Sequence, residues 1–249
     1  MTHKLVDIDD LGHMSCDNPE RRGANMLLWL FFAFACSDSV QPSAEIVKPE
    51  VTAQKAAVES DAPRVIILGD SLTAGLGLAV DQAYPTLLAT QLGAEGLPTE
   101  ILNAGVSGDT TAGGLRRVDW LLKQKPDLLV IELGANDGMR GTPIEEVRGN
   151  LEQIIDKSKA AGVETWLMQM MVPPNYGAEY AAAVREIYPA LAEEKKVKLL
   201  PFLLQDVAGK PELNQADGIH PTSEGHVLMA ATLRPYFQQW RGSLSRQAQ

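Results

Sequence analysis

Residues 64–77 read RVIILGDSLTAGLG, and they contain the clearest indication of the fold in the chain. It begins with a short apolar run, Val65-Ile66-Ile67-Leu68, in which β-branched side chains predominate. Such a run, with no polar residue alternating through it, predicts a strand that is buried on both faces. The glycine, aspartate and serine that follow predict a turn from the strand into a helix, because small and polar residues favour turns and helix starts.

Four more short runs that are typical of strands follow later in the chain, separated by longer helical stretches. The runs are residues 100–103, 128–131, 165–168 and, more weakly, 197–200, and the clearest helical stretches are 143–161 and 178–194. Apolar strands separated by helices predict the α/β class: a parallel sheet covered on both faces, in three layers, with right-handed crossovers. In such sheets functional groups collect beyond the carboxyl ends of the strands.

Polar loops stand at the expected carboxyl ends, and they contain the parts of a nucleophilic site. A serine hydroxyl such as that of Ser71 is a weak nucleophile until a positioned base takes its proton. His220 is the candidate base, because an imidazole exchanges protons near neutral pH. Asp217 lies three residues earlier, where one turn lets its carboxylate accept from the imidazole N–H and fix the tautomer.

Three hydrogen-bond donors are candidates for holding an oxyanion formed on the substrate. They are the backbone N–H of Ser71 near a helix start, the backbone N–H of Gly108, and the side-chain amide of Asn136. Glycine permits close backbone approach, and asparagine offers an uncharged dipole. These residue types therefore point to acyl transfer.

Four sequence blocks resemble the SGNH hydrolases, also called the GDSL family. They are GDSL at 69–72, SGDT at 107–110, GAND at 134–137 and DGIHP at 217–221. The resemblance covers residues 64–240 and is greatest to the bacterial group of multifunctional thioesterases, arylesterases and lysophospholipases. It implies a flavodoxin-like fold with five parallel strands in three αβα layers, and a reaction without a metal or organic cofactor.

The expected function is hydrolysis of acyl esters: aryl esters, lysophospholipids or acyl thioesters. A carbohydrate O-deacetylase of the same family and a lipid-binding lipoprotein without turnover are the alternatives. By resemblance, the segment Met171, Val172, Pro173, Pro174 and Tyr176 lies beside the substrate, where methionine adapts to flexible chains and prolines hold a loop open. Packing of the methionines in the core is the other interpretation.

Other residues in these loops have competing interpretations. Ser107 lacks the G-x-S-x-G context of a nucleophile and is expected to shape its loop. His226 follows a glycine at a helix start and is expected at the surface or as a cap. Asp70, Asp109 and Asp137 are expected to accept from backbone N–H groups instead of binding a metal. A phosphate-binding loop at 69–77 lacks the G-x-x-x-x-G-K spacing.

Composition excludes several other classes of protein. The chain has 249 residues, 22 Lys and Arg, 32 Asp and Glu, and a formal net charge of −10. An acidic surface repels phosphate backbones, so nucleic acid is not an expected partner. Two cysteines are too few for a disulfide-stapled scaffold. We expect a monomer that binds a small-molecule or lipid ester.

The front of the chain differs from the rest. The uncharged run MLLWLFFAFA at 26–35 follows two arginines and ends in an A-x-A pattern before Cys36, which is typical of an export signal with a lipid-modified cysteine. An ordinary buried helix is the alternative. We therefore predict four segments: a signal-bearing extension at 1–36, a disordered tether at 37–63, the hydrolase domain at 64–241 and a flexible tail at 242–249. The protein is expected in the periplasm or anchored to a membrane through Cys36.

Overall fold

The computed structural model describes residues 62–247, which contain a five-stranded sheet in the order β2-β1-β3-β4-β5. All four strand pairings are parallel. The strands are β1 Arg64–Gly69, β2 Glu100–Gly105, β3 Leu128–Glu132, β4 Glu164–Met168 and β5 Lys198–Leu200. The five predicted strands are therefore confirmed, together with the α/β class.

Seven helices cover the two faces of the sheet in the described part of the chain. They are α1 Ser71–Ala74, α2 Tyr84–Ala94, α3 Thr111–Leu122, α4 Ala135–Met139, α5 Ile144–Ala160, α6 Ala178–Lys195 and α7 Ser223–Gln247. Helix α2 packs against α7, whereas α3 packs against α5 and α5 against α6, giving one helical layer on each face. The apolar positions of α5, from Val147 to Ile155, face the core and are fully buried.

The core lies between the sheet and these two layers. Val65 to Leu68 of β1 and Leu128 to Ile131 of β3 are completely buried, as expected for central strands of a sheet covered on both faces. Trp166 of β4 packs edge to face against Phe237 and Trp240 of α7, which also pack edge to face against each other. Helix α7 runs on through residues 242–247, where the sequence predicts a tail, because Leu244 packs against the core.

The register of the sheet brings three loops to one level at its carboxyl edge. Gly69, at the end of β1, pairs with Gly105 at the end of β2 and with Glu132 at the end of β3. Chain order also reverses at β1, since β2 lies on one side of it and β3 on the other. Such a reversal opens a crevice beyond the strand ends.

The predicted export signal, Cys36 and residues 37–61 of the predicted tether at 37–63 lie outside the described residues. Among residues 62–247, no helix combines the length and the hydropathy that crossing a bilayer requires.

Candidate active site

Ser71 is held at the first position of α1, immediately beyond β1. The carboxylate of Asp70 caps the helix by accepting from the Leu72 N–H at 3.0 Å, and Gly75 ends the helix in the left-handed conformation. This turn is tight: a Cβ on Gly69 would lie 2.0 Å from the Thr73 hydroxyl oxygen, so only glycine fits there. Ser71 is 9% exposed and lies on the wall of the cavity described below.

The structure brings Ser71, His220 and Asp217 together in one hydrogen-bonded chain. Ser71 Oγ lies 2.8 Å from His220 Nε2, and His220 Nδ1 lies 2.6 Å from Asp217 Oδ2. The second oxygen of Asp217 accepts from the backbone N–H groups of Ile219 and His220, each at 3.0 Å. Asp217 thus fixes both the loop and the imidazole ring.

These contacts determine the charge on Asp217 and the tautomer of His220. Hydrogen bonds from the His220 backbone, the His220 ring and the Ile219 backbone lower the pKa of Asp217 to about 2. Asp217 is therefore ionised near neutral pH and accepts the proton on Nδ1. Nε2 is left to accept the hydroxyl proton of Ser71, as a general base must.

The predicted oxyanion donors follow the ends of three neighbouring strands: Ser71 after β1, Gly108 after β2, and Asn136 in α4 after β3. Gly108 has φ of 77°, a conformation that favours glycine, and its carbonyl accepts from Arg140 at 2.9 Å. The Asn136 side-chain amide donates to Asp70 Oδ2 at 3.1 Å. Arg140 therefore links the Gly108 loop to the short helix that carries Asn136.

Arg117 on α3 is a structural part of this edge that sequence reasoning missed. Its guanidinium donates to Asp109 Oδ2 at 2.8 Å, to the Ala104 carbonyl at 2.6 Å and to the Gly69 carbonyl at 2.9 Å. One planar group thereby ties together the ends of β1 and β2 and the loop that contains Gly108. Arg117 lies on a helix, eight residues after an aspartate in the preceding loop. That spacing does not predict contacts with the ends of two strands.

A cavity of about 490 Å³ opens beside Ser71 and His220. Its wall is largely apolar and includes Met139, Met170, Met171, Val172, Pro173, Phe202, Leu204 and Ile219. The structure thus places Met171, Val172 and Pro173 beside Ser71. Tyr176 is 42% exposed and is not part of this wall, and the side chain of Pro174 is outside the described part. Phe202 and Leu204 follow the weakest strand signal, which is why sequence reasoning missed them.

His226 is placed away from the base position and differs from its expected setting. Its ring is 1% exposed, so the expected surface position is wrong. It does act as a cap, but for α2, because its Nδ1 accepts from the N–H of Tyr84, the first residue of that helix, at 3.1 Å. The helix carrying it packs against α2, which buries the ring. Ser107 is exposed in the turn after β2 and outside the cavity wall.

The three loop carboxylates accept backbone N–H groups, as predicted. Asp70 accepts from Leu72, Asp109 from Thr110, and Asp137 from Thr111. Across residues 62–247 no group of three or more His, Cys, Asp or Glu side chains is arranged to hold a metal ion.

A buried polar network lies beneath the site. Glu132 at the end of β3 is completely buried; its Oε2 accepts from the Asp70 N–H at 3.3 Å and from the Thr73 hydroxyl at 2.6 Å. The Thr73 hydroxyl also contacts the Tyr84 hydroxyl at 2.8 Å. Burial raises the pKa of Asp70 to about 6 and raises that of Glu132 well above its usual value. In the sequence, the signal for this network is the charged Glu132 at the end of the apolar run LLVIE.

A serine, an imidazole and a carboxylate linked in this order, at the carboxyl edge of a parallel sheet, are typical of serine hydrolases. Comparison with known proteins identifies the family of the chain. The profile of the GDSL-like Lipase/Acylhydrolase family matches residues 67–228. The chain belongs to this family, and the resemblance of its four sequence blocks is thereby confirmed.

Relatives in the family have esterase and thioesterase names. A Vibrio mimicus protein named arylesterase is 44% identical over 168 residues, which are 67% of this chain and 84% of the relative. The Escherichia coli K12 protein named thioesterase 1/protease 1/lysophospholipase L1 is 43% identical over 170 residues, 68% of this chain and 80% of the relative.

Solved structures of similar proteins have the same fold as this chain. The crystal structure of the psychrotrophic esterase EstA from Pseudoalteromonas, inhibited by monoethylphosphonate, superposes with a TM-score of 0.69 at 37% identity. The match covers 71% of this chain and 97% of EstA. The crystal structure of TesA gives a TM-score of 0.67 at 40% identity, over 69% of this chain and 96% of TesA.

Proposed function

We propose that the chain is a serine esterase that hydrolyses acyl esters through an acyl-enzyme intermediate on Ser71. The single observation that carries this proposal is the continuous chain of hydrogen bonds from Ser71 Oγ through His220 to Asp217. Membership of a family of lipases and acylhydrolases makes the chain a carboxylic ester hydrolase.

In the first half of the proposed reaction, His220 Nε2 takes the proton of the Ser71 hydroxyl while Oγ attacks the ester carbonyl. Negative charge develops on the carbonyl oxygen, where the Ser71 N–H, the Gly108 N–H and the Asn136 amide donate hydrogen bonds. The imidazolium of His220 then gives its proton to the departing alcohol. The ionised Asp217 stabilises that imidazolium without taking a proton itself.

In the second half, His220 acts on water in the same way. Nε2 takes a proton from water, the resulting hydroxide attacks the acyl-enzyme carbonyl, and the proton passes to Ser71 Oγ as the acid leaves. A thioester would follow the same steps with a thiol as the leaving group. No step requires an electron acceptor or a metal.

The cavity supports a hydrocarbon acyl group as the preferred substrate. Burying apolar surface stabilises a bound chain by about 0.8 kcal/mol for each methylene. A wall of methionine, valine, proline, phenylalanine and leucine offers such surface next to Ser71, whereas an acetylated sugar would leave most of it unused. We therefore favour aryl esters and lysophospholipids, with thioesters as further candidates, over carbohydrate O-deacetylation.

A series of p-nitrophenyl esters of increasing acyl length tests this proposal. We expect turnover that rises from acetyl to medium-length chains and is abolished in Ser71→Ala. Ser107→Ala is the matched control and keeps wild-type rates, because Ser107 is exposed and outside the cavity wall. Activity confined to acetyl esters would favour the deacetylase, and a folded wild type without turnover would favour the lipid-binding alternative.

We also propose export of this enzyme to the periplasm, with Cys36 as the site of processing and lipid attachment. Support comes from the basic flank, the apolar run at 26–35 and the A-x-A pattern. Mass spectrometry of the mature N-terminus checks it. The expected result is an N-terminal Cys36 that carries lipid. An unmodified N-terminal Cys36 would indicate cleavage without lipid attachment. A protein that still contains residues 26–35 would contradict export with processing.

A further inference from the structure

Two buried carboxyl groups lie directly beneath the proposed oxyanion donors, and the reaction described above does not use them. Asp70 is 1% exposed and Glu132 is fully buried. They are joined through the Asp70 backbone, whose N–H donates to Glu132 Oε2. Asp70 in turn accepts from the Asn136 amide, so the pair reaches the candidate oxyanion site through one hydrogen bond.

The surroundings of Glu132 favour a neutral carboxyl group. Its hydrogen-bonding donors are the Thr73 hydroxyl and the backbone N–H groups of Asp70 and Thr73, all of them uncharged, and no cationic side chain contacts it among the described residues. Its Oε1 has no partner in the described part of the chain. An ionised carboxylate buried without a cation costs far more free energy than a neutral acid with one unpaired O–H.

Asp70 has the opposite requirement, because both of its oxygens accept hydrogen bonds. Oδ1 accepts from the Leu72 N–H and Oδ2 from the Asn136 Nδ2. The Leu72 N–H can only donate a hydrogen bond. The Asn136 amide could accept one from a protonated Asp70 only by flipping, and the flip would turn its N–H groups away from their present direction. A carboxylate satisfies both donors, whereas a protonated Asp70 would set a hydrogen against one of them.

We propose that Asp70 is a positioning residue that orients the Asn136 amide toward the oxyanion, and that Glu132 is its neutral partner, leaving the single negative charge of the pair on Asp70. The inference rests on the proposed function, because it assigns a role to Asp70 only if Asn136 stabilises the oxyanion. One amide hydrogen of Asn136 is held by Asp70, and the other remains for the substrate.

The charged and titratable groups around Asp70 come from every neighbouring element. They are Glu132 on β3, Tyr84 on α2, Tyr188 on α6, Asp109 in the loop after β2, Arg117 on α3, and His220 in the loop before α7. Arg117 is neutralised by Asp109. The Glu132 carboxyl group accepts a hydrogen bond from the Asp70 backbone, and the charges of these two buried groups affect each other.

A double-mutant cycle on kcat tests the positioning role. Asp70→Asn keeps the helix cap, since asparagine caps as well as aspartate, but it sets an NH₂ group against the Asn136 amide and makes that amide flip. Asn136→Ala is expected to lower kcat by about 10²- to 10³-fold. Asp70→Asn should lower kcat at least about tenfold with KM nearly unchanged, and should lower it less than about twofold in the Asn136→Ala background.

The pH profile tests the neutral state of Glu132 independently. If Glu132 is neutral, Glu132→Gln leaves the acid limb of kcat where it is in the wild type. If Glu132 is ionised, removing its negative charge lowers the pKa of the titratable groups near it, and the acid limb moves to lower pH. Asp119→Asn, which removes a surface carboxylate paired with Lys157, is the matched control for the loss of a charge.

The outcomes separate this inference from the proposed function. Full activity in Asn136→Ala would remove the oxyanion assignment itself. A large loss in Asn136→Ala, with Asp70→Asn multiplying that loss in the double variant, would overturn the positioning role of Asp70 alone. An acid limb shifted by Glu132→Gln but not by Asp119→Asn would overturn the neutral state of Glu132.

Discussion

Replacing His226 with glutamine should change how the stability of the domain depends on acidity. The His226 ring is 1% exposed and accepts the Tyr84 N–H through Nδ1, and burial lowers its pKa from 6.5 to about 4. As pH falls from 6.5 toward 4, the unfolded chain binds a proton at this residue and the folded chain does not. The free energy of unfolding therefore decreases over that window and changes no further below it.

The size of the effect follows from the difference in proton affinity. At about 1.36 kcal/mol for each tenfold change, His226 removes about 3 kcal/mol of folding free energy across the window. Glutamine offers an acceptor to the Tyr84 N–H and does not titrate. Asp70 and Glu132 act in the opposite sense, because their raised pKa values mean that stability is lost as pH rises, but they are the same in both proteins and cancel in the comparison.

Urea unfolding followed by circular dichroism, near pH 7 and near pH 4, measures the difference between wild type and His226→Gln. We expect that difference to move by about 3 kcal/mol in favour of the variant at the lower pH. Ester hydrolysis near pH 7 should stay at the wild-type level, because His220 and not His226 contacts Ser71. A difference in unfolding free energy that is the same at both pH values would show that His226 does not carry this pH dependence.

Three further predictions concern the loops and the cavity. Asp217→Asn should lower kcat by about 10³- to 10⁴-fold, since the amide would hydrogen bond to His220 in the wrong tautomer; the assay is ester hydrolysis, and a loss below tenfold would contradict it. Gly134→Ala should lower the free energy of unfolding by about 2–4 kcal/mol, because φ is 118° and the new Cβ would lie 2.0 Å from the Tyr188 hydroxyl oxygen; an unchanged Tm would show otherwise. Met171→Ala should lower kcat/KM up to about tenfold for octanoyl esters but not for acetyl esters, because methylene burial is lost; equal losses on both would exclude it from the acyl wall.

The fold can be predicted from the sequence because strands and helices alternate along the chain and most of them have a recognisable local pattern. The central strands β1 and β3 are short apolar runs and are the most buried, whereas the edge strands β2 and β5 have weaker patterns. Parallel strands place their carboxyl ends at one edge, so the loops containing Ser71, Gly108 and Asn136 could be assigned to one region before any coordinates were known. His220 and Asp217 were recognisable from their spacing in DGIHP.

Contacts between residues that are distant in the sequence cannot be predicted from such local patterns. Arg117 on α3 reaches the carbonyls of Ala104 and Gly69, which lie 13 and 48 residues away along the chain. His226 is buried because α7 packs on α2, whereas its local setting of glycine, histidine and valine is equally suited to a surface helix start. The cavity wall likewise combines Met171 with Phe202 and Ile219 from separate loops, which only the packing of the chain determines.

The most direct test of the account is to locate the nucleophile with a fluorophosphonate. The folded protein is treated with the reagent, digested, and analysed by mass spectrometry for the modified side chain. We predict a single phosphonyl adduct on Ser71, absent from Ser71→Ala and abolished by loss of the base in His220→Gln. An adduct on another serine, or labelling that persists in Ser71→Ala, would contradict the assignment of Ser71 as the nucleophile.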